Sequence, residues 1–176
     1  MIAVDALLPE LERAFRGVRD VVWEAFRAPP GQPGRKEDGS VVTALDHELE
    51  SRLSSVLLAL DPDWGVAGEE GGTLRAGTPT WHLDALDGSL NFSRRIPQFV
   101  CQAALVDGHE PLVGVIYDPL RDVFAWTAKG RGAWEDGRQL QVRRRSVEDA
   151  LLLVDIARSG PFVQHPDLLP KLRRNV

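Results

Sequence analysis

Three acidic side chains stand where apolar runs give way to turn-forming residues: Glu69 in Gly68-Glu69-Glu70-Gly71, and Asp84 with Asp87 in Asp84-Ala85-Leu86-Asp87-Gly88-Ser89. Carboxylates beside apolar strands are costly to keep ionised together, because each loses hydration and repels its neighbours. A bound cation removes that cost. All-oxygen donors select a hard ion, and Mg2+ suits them best because it binds through a few carboxylates, waters and a substrate phosphate; Ca2+ and Mn2+ are the other ions such a set admits. Two aspartates three residues apart, followed by the turn-forming Gly88, let both carboxylates and the Leu86 carbonyl approach one point. A helix starting at Gly88-Ser89-Leu90-Asn91 would turn its free N–H groups and the positive end of its dipole toward that point, where they suit a phosphate oxygen.

A plainer reading competes on motifs this short. Asp-Gly is a common turn dipeptide, so Asp84 and Asp87 also suit ordinary turns, with Glu69-Glu70 as a solvated loop. An EF-hand does not fit, because alternating Asp/Asn ligands and a closing bidentate Glu are absent. Thr43-Ala44-Leu45-Asp46 is ambiguous in the same way. A threonine followed three residues later by an acid is a capping-box variant that starts a helix. The same placement would let Asp46 polarise a metal-bound water through the Ser89 hydroxyl, and the two roles are compatible.

The elements that must position these groups follow from periodicity. Val4, Leu7, Leu8, Leu11, Phe15, Val18, Val22 and Ala25 recur at three and four residues and predict one amphipathic helix over residues 4–28, ended by Pro29-Pro30. Residues 31–40, with three glycines, Pro33 and four charges, read as an exposed loop. A second helix is predicted over residues 44–60, with Thr43 as N-cap and Asp61-Pro62 as its stop. Short apolar runs then predict strands at 81–86, 99–106, 112–117 and 123–127, with a hairpin turn at Glu135-Asp136-Gly137-Arg138. Two helices followed by strands imply an α+β fold, a helix pair packed on an antiparallel sheet. Residues 1–145 are expected to form this domain and 146–176 to begin a second one, with a strand at 151–156.

Composition narrows the partners. With 43% hydrophobic and 27% charged residues the chain should fold, and a net charge of −5 weakens nucleic-acid or acidic-membrane readings. The runs 143–145 and 173–174 of arginine are expected to be solvated surface. Neither a secretory signal nor an apolar stretch of bilayer length is present, so a cytoplasmic address is the expectation. Cys101, the single cysteine, lies in an apolar run and reads as a small buried hydrophobe.

Ordered blocks add specificity. Lys36-Glu37-Asp38-Gly39-Ser40-Val41-Val42-Thr43-Ala44-Leu45-Asp46, then Gly68-Glu69-Glu70, then Trp81-His82-Leu83-Asp84-Ala85-Leu86-Asp87-Gly88-Ser89-Leu90-Asn91-Phe92 resemble the first three signature blocks of the inositol monophosphatase family. The likeness continues through Ile96-Pro97, Gly114-Val115-Ile116-Tyr117-Asp118-Pro119 and Gly130-Arg131-Gly132-Ala133-Trp134. It implies the N-terminal part of a layered αβαβα sugar-phosphatase fold and Mg2+-dependent hydrolysis of inositol monophosphate or a similar small sugar or polyol phosphate. Glu69, Asp84, Asp87 and the Leu86 carbonyl would hold metal, with Glu69 also counted in catalysis. Gly88 and Ser89 would contact phosphate, Asp46 with Ser89 would activate water, and Lys36 would attract phosphate. A homodimer is implied as well.

The resemblance also implies a later Trp-Asp block whose aspartate completes the metal site. The five tryptophans here, Trp23, Trp64, Trp81, Trp126 and Trp134, are followed by Glu, Gly, His, Thr and Glu. The expectation is therefore a fragment, or a shortened chain that binds metal weakly and serves as a metal-binding or subunit-pairing domain. Arg94-Arg95, just past the phosphate loop, raises a further alternative: the same chemistry on a nucleotide phosphate such as NADP, with Arg95 reaching its second anionic group.

Overall fold

The computed structural model describes residues 3–29, 31–37 and 39–142. Where the spacing predicts one N-terminal helix there are two in succession, α1 (Val4–Gly17) and α2 (Arg19–Arg27). The apolar stripe runs through the break, for Leu7, Leu11, Phe15, Val18 and Val22 are all buried. Gly17 has low helix propensity, and Val18 beside it adopts φ −89° and ψ −4°, so the chain bends without lifting its stripe off the core. Ala28 is extended, as the residue before a proline should be. Residues 31–40 are not wholly irregular: β1 (Gly34–Arg35) and β2 (Val41–Val42) pair in a two-residue antiparallel ladder.

Helix α3 (Ala44–Leu60) begins where the capping box predicts. Leu45, Leu49, Leu53 and Leu57 bury one stripe of it, and Asp46, Glu50 and Ser54, each one residue further on, are buried as well. At its far end Arg75 holds the chain together: its guanidinium donates to Trp64 O at 2.6 Å, to Leu58 O at 3.0 Å and to Asp61 O.

The sheet comprises β3 (Gly65–Gly68), β4 (Gly72–Arg75), β5 (Thr80–Asp87), β6 (Val100–Asp107), β7 (Glu110–Asp118), β8 (Val123–Ala128), β9 (Gly132–Glu135) and β10 (Arg138–Leu140), ordered β10-β9-β8-β7-β6-β5-β3-β4. A short helix, α4 (Ser89–Ser93), separates β5 from β6. The sheet is mixed where the sequence predicts antiparallel pairing throughout, because β3 and β5 run parallel. The β3–β4 hairpin, which the apolar runs did not reveal, puts β4 at the edge. The chain then returns past the start of β3, where Gly65 N–H donates to Pro79 O at 2.9 Å, and β5 sets off in the same direction. The predicted turn at the last hairpin is present, with Asp136 and Gly137 both at positive φ as a type I′ turn requires.

Strand alternation sorts the two faces. Trp81, Leu83, Cys101, Leu105, Val113, Val115, Tyr117 and Phe124 face the helices, against Leu11, Phe15, Leu49, Leu53 and Leu57. Cys101 is fully buried, and burial first, then nearby Asp84 and Asp118, pushes its thiol up to about 12, so it stays neutral. The opposite face bears small residues such as Ala67, Ala104, Gly114 and Ala125 and forms an open groove with Glu69 and Asp84 in its lining. No helix among the described residues is long and apolar enough to cross a membrane. The domain boundary expected at residue 145, the strand at 151–156 and both arginine runs lie outside the described residues.

Leu53, 1% exposed, joins α3 to the sheet. Leu53→Ala should lower unfolding free energy by about 2–5 kcal/mol, read as an earlier urea midpoint at unchanged slope.

Candidate functional site

The parallel pair is what brings the first two acids together. Gly68 lies opposite Leu83, and the Glu69 N–H donates to Leu83 O at 3.0 Å, so Glu69 emerges at the strand ends beside Asp84. In regular β structure Asp84 and Asp87, three apart, would point to opposite faces. An irregularity in the β5–β6 register between them corrects this: Ala85 and Leu86 are both buried, and Asp87 returns to the Asp84 side. Gln102, opposite Asp84 on β6, marks the shared face, its side-chain amide lying 2.8 Å from Asp87 Oδ2 and 3.5 Å from Asp84 Oδ2.

Charge accumulates there. Burial, then the charges of Glu69 and Asp87, push the Asp84 carboxyl up to about 7, against the opposing pull of the Gln102 amide. Lys36 meets part of the excess, with Nζ 2.5 Å from Glu69 Oε1 and 2.7 Å from Glu70 Oε1. Burial lowers the ammonium's proton affinity, but those two glutamates outweigh it and the group is held well above its ordinary value. Among the described residues no three His, Cys, Asp or Glu side chains converge at metal-ligand spacing. The donors nonetheless fit a hard divalent cation in kind: all are oxygens, and Asp84 has a raised proton affinity that a positive charge would reverse.

Asp46, in the first turn of α3, is 3% exposed and hydrogen-bonded through both of its oxygens. Its Oδ2 accepts the Thr43 backbone N–H at 2.8 Å and the Thr43 hydroxyl at 2.5 Å, and its Oδ1 accepts the Ser89 hydroxyl at 2.5 Å. The cap and the Ser89 contact thus coexist, as the sequence allows. Ser89 Oγ also lies 2.9 Å from the Leu86 carbonyl. With its proton directed to Asp46, Ser89 keeps lone pairs with which to accept a proton from water. Gly88 precedes α4 at φ 100°, and a Cβ there would lie 3.0 Å from Gln98 O and Phe99 Cβ, so only glycine fits the turn that sets Ser89 beside Asp46.

Arg95 does not face the acids. Its guanidinium donates to Ala25 O at 3.0 Å and to Ala28 O and lies over the rings of Phe26 and Phe92, while Arg94 is exposed. Sequence reasoning missed Gln102 and Glu50. Gln102 was signalled by its place as the one side-chain amide in an apolar strand, and Glu50 by its position one helical turn beyond Asp46.

Helices packed on one face of a mixed sheet, with acids where β3 and β5 end, define an α+β protein of layered architecture. The chain belongs to the inositol monophosphatase family, which its sequence matches over residues 5–165. It is 38% identical over 109 residues to the fructose-1,6-bisphosphatase/inositol-1-monophosphatase of Aquifex aeolicus, covering 61% of this chain and 41% of the relative. To the inositol-1-monophosphatase of Caulobacter vibrioides it is 30% identical over 155 residues, 85% of this chain and 60% of the relative. The crystal structure of the extragenic suppressor protein SuhB from Bartonella henselae superposes with a TM-score of 0.73 at 25% identity, over 80% of this chain and 55% of that one. The chain thus spans roughly half the length of these relatives.

The raised Asp84 value carries a sign. A carboxyl that holds its proton more tightly folded than unfolded contributes stability fully below the unfolded value near 4, and loses it as pH rises through about 7. Without added metal, the Tm advantage of Asp84→Asn over the parent should therefore widen from about pH 4 to pH 8, as scanning fluorimetry would show. Parallel pH profiles would mean the site carries no uncompensated charge.

Proposed function

We propose that this protein hydrolyses a small phosphate monoester, inositol monophosphate or a similar sugar or polyol phosphate, with Mg2+. The observation that carries this is the 2.5 Å hydrogen bond from the Ser89 hydroxyl to Asp46 at the turn that follows Asp84 and Asp87, with the charges of Glu69 and Asp87 felt at Asp84. The family to which the chain belongs, and the names of its Aquifex and Caulobacter relatives, support the reaction class.

Glu69, Asp84, Asp87 and the Leu86 carbonyl would hold Mg2+, which when bound supplies a Lewis acid that acidifies water and offsets phosphate charge. The chain's own groups do the rest. Asp46 keeps the Ser89 hydroxyl oriented by accepting its proton, so Ser89 Oγ can accept one from the attacking water and pass its own to Asp46. Amides of Gly88 and Ser89, unpartnered within α4, would hold a phosphate oxygen. Lys36, already at the acids, adds a positive charge on the side from which a phosphate would approach. The P–O bond to the alcohol breaks, that oxygen takes a proton from solvent water, inorganic phosphate leaves, and the proton passed to Asp46 returns to solvent, restoring the starting state. No covalent intermediate is needed.

The alternative of a nucleotide phosphate such as NADP draws no support from Arg95, whose guanidinium is committed to the Ala25 and Ala28 backbone carbonyls. A homodimer in the cytoplasm belongs to the same reading and is checked by light scattering and cell fractionation.

In the full-length protein, phosphate release from inositol 1-phosphate should require Mg2+, stop with EDTA and return on readdition. Ser89→Ala should lower kcat by about 10²- to 10⁴-fold with Mg2+ affinity, read calorimetrically, little changed. Tight Mg2+ binding without turnover would instead indicate a non-catalytic metal-binding or subunit-pairing domain.

A further inference from the structure

On α3, Asp46, Glu50 and Ser54 form a polar stripe beside the leucines, 3%, 6% and 5% exposed. Asp46 serves Ser89. Glu50, one turn later, reaches the loop between β3 and β4: its Oε2 accepts the Glu70 N–H at 2.8 Å and its Oε1 accepts the Gly71 N–H at 2.7 Å. The loop backbone comes so close that a Cβ at Gly68 would collide with the Glu50 carboxylate, and one at Gly71 would lie 2.8 Å from Oε1. Glu69 therefore has its backbone pinned on both sides, by β5 through its own N–H and by Glu50 through the next two.

Burying a carboxylate is an expensive way to brace an ordinary turn, since a neutral side chain would avoid the desolvation. Here, however, the two N–H groups are bound by separate oxygens of Glu50, and an amide in the same pose would set its NH2 against one of the donors. A group this costly is explained if the direction of the intervening Glu69 matters. We propose that Glu50 is a positioning residue: by holding the Glu70 and Gly71 amides it fixes the angle at which Glu69 presents its oxygens to Mg2+. The proposal rests on the phosphatase reading above for the role of Glu69. Helix α3 then braces both halves of the site, Ser89 through Asp46 and Glu69 through Glu50.

The test uses the full-length protein and Mg2+ alone as the probe. Glu50→Gln should weaken calorimetric Mg2+ affinity by about 10- to 100-fold, the range for groups that orient metal ligands, and should speed hydrogen exchange at the Glu70 and Gly71 amides. The Mg2+ concentration for half-maximal phosphate release should rise in step, with KM for the substrate at saturating Mg2+ little changed. Gly68→Ala, which displaces the Glu50 carboxylate without altering it, should weaken Mg2+ binding likewise and carries the test if Glu50→Gln does not fold. Leu53→Ala, destabilised in the core, should bind Mg2+ as the parent does. A Glu50→Gln protein that loses stability as Leu53→Ala does, yet binds Mg2+ with parental affinity, overturns the inference and leaves the phosphatase reading intact. A parent protein that binds no Mg2+ sinks both.

Discussion

Like charges repel, and where β3 and β5 end the charges of Glu69 and Asp87 raise the proton affinity of Asp84. The surroundings make sense as responses to it. Asp84 takes up protons near neutrality, Lys36 reaches in from the β1–β2 hairpin to pair with Glu69, and the Gln102 amide turns its donors to the two aspartates. These are partial measures, each neutralising one part of the cluster. A divalent ion would offset more of it at once, as the proposed Mg2+ site requires.

Two departures from regular architecture make the assembly possible. A parallel pairing inside a sheet that is otherwise antiparallel puts Glu69 at the same end as Asp84, and an irregular stretch of β5 turns Asp87 back to the Asp84 face. Against this stands α3, whose N-terminus is closed by the same carboxylate that receives the Ser89 hydroxyl. Asp46 thus ties the start of α3 and the orientation of Ser89 into one arrangement.

Much of this was legible in the residues. The leucine stripe and the Thr43 cap gave α3 to the residue, the Asp-Gly turn gave the last hairpin, and the apolar runs gave the central strands, because each depends on local periodicity or turn chemistry. No local rule joins Asp46 and Ser89, 43 residues apart; the chemistry of a carboxylate at a helix start and a hydroxyl after Asp-Gly suggests the pair, and the ordered blocks resembling a family reinforce it. The β3–β4 hairpin is hard to read from sequence because its strands are four residues each, carry three glycines between them, and in β4 are mostly exposed. The parallel pairing was hidden with it. The break at Gly17 left no trace in the stripe, as both helices continue one apolar face. Arg95 misled for a related reason: sequence records a cation after a glycine turn, but not that carbonyls of α2 stand within its reach.

That spent guanidinium has a bearing on how the α4 turn keeps its shape with heat. Arg95 joins the C-terminal end of α2 to the single turn of α4 over the rings of Phe26 and Phe92, which pack on each other and on Phe99. A helix of five residues has almost no rigidity of its own. It borrows stiffness from the N-terminal helices through this aromatic seam, so that loosening residues 19–28 from the body would slacken the bed beside Ser89 well before the sheet itself came apart.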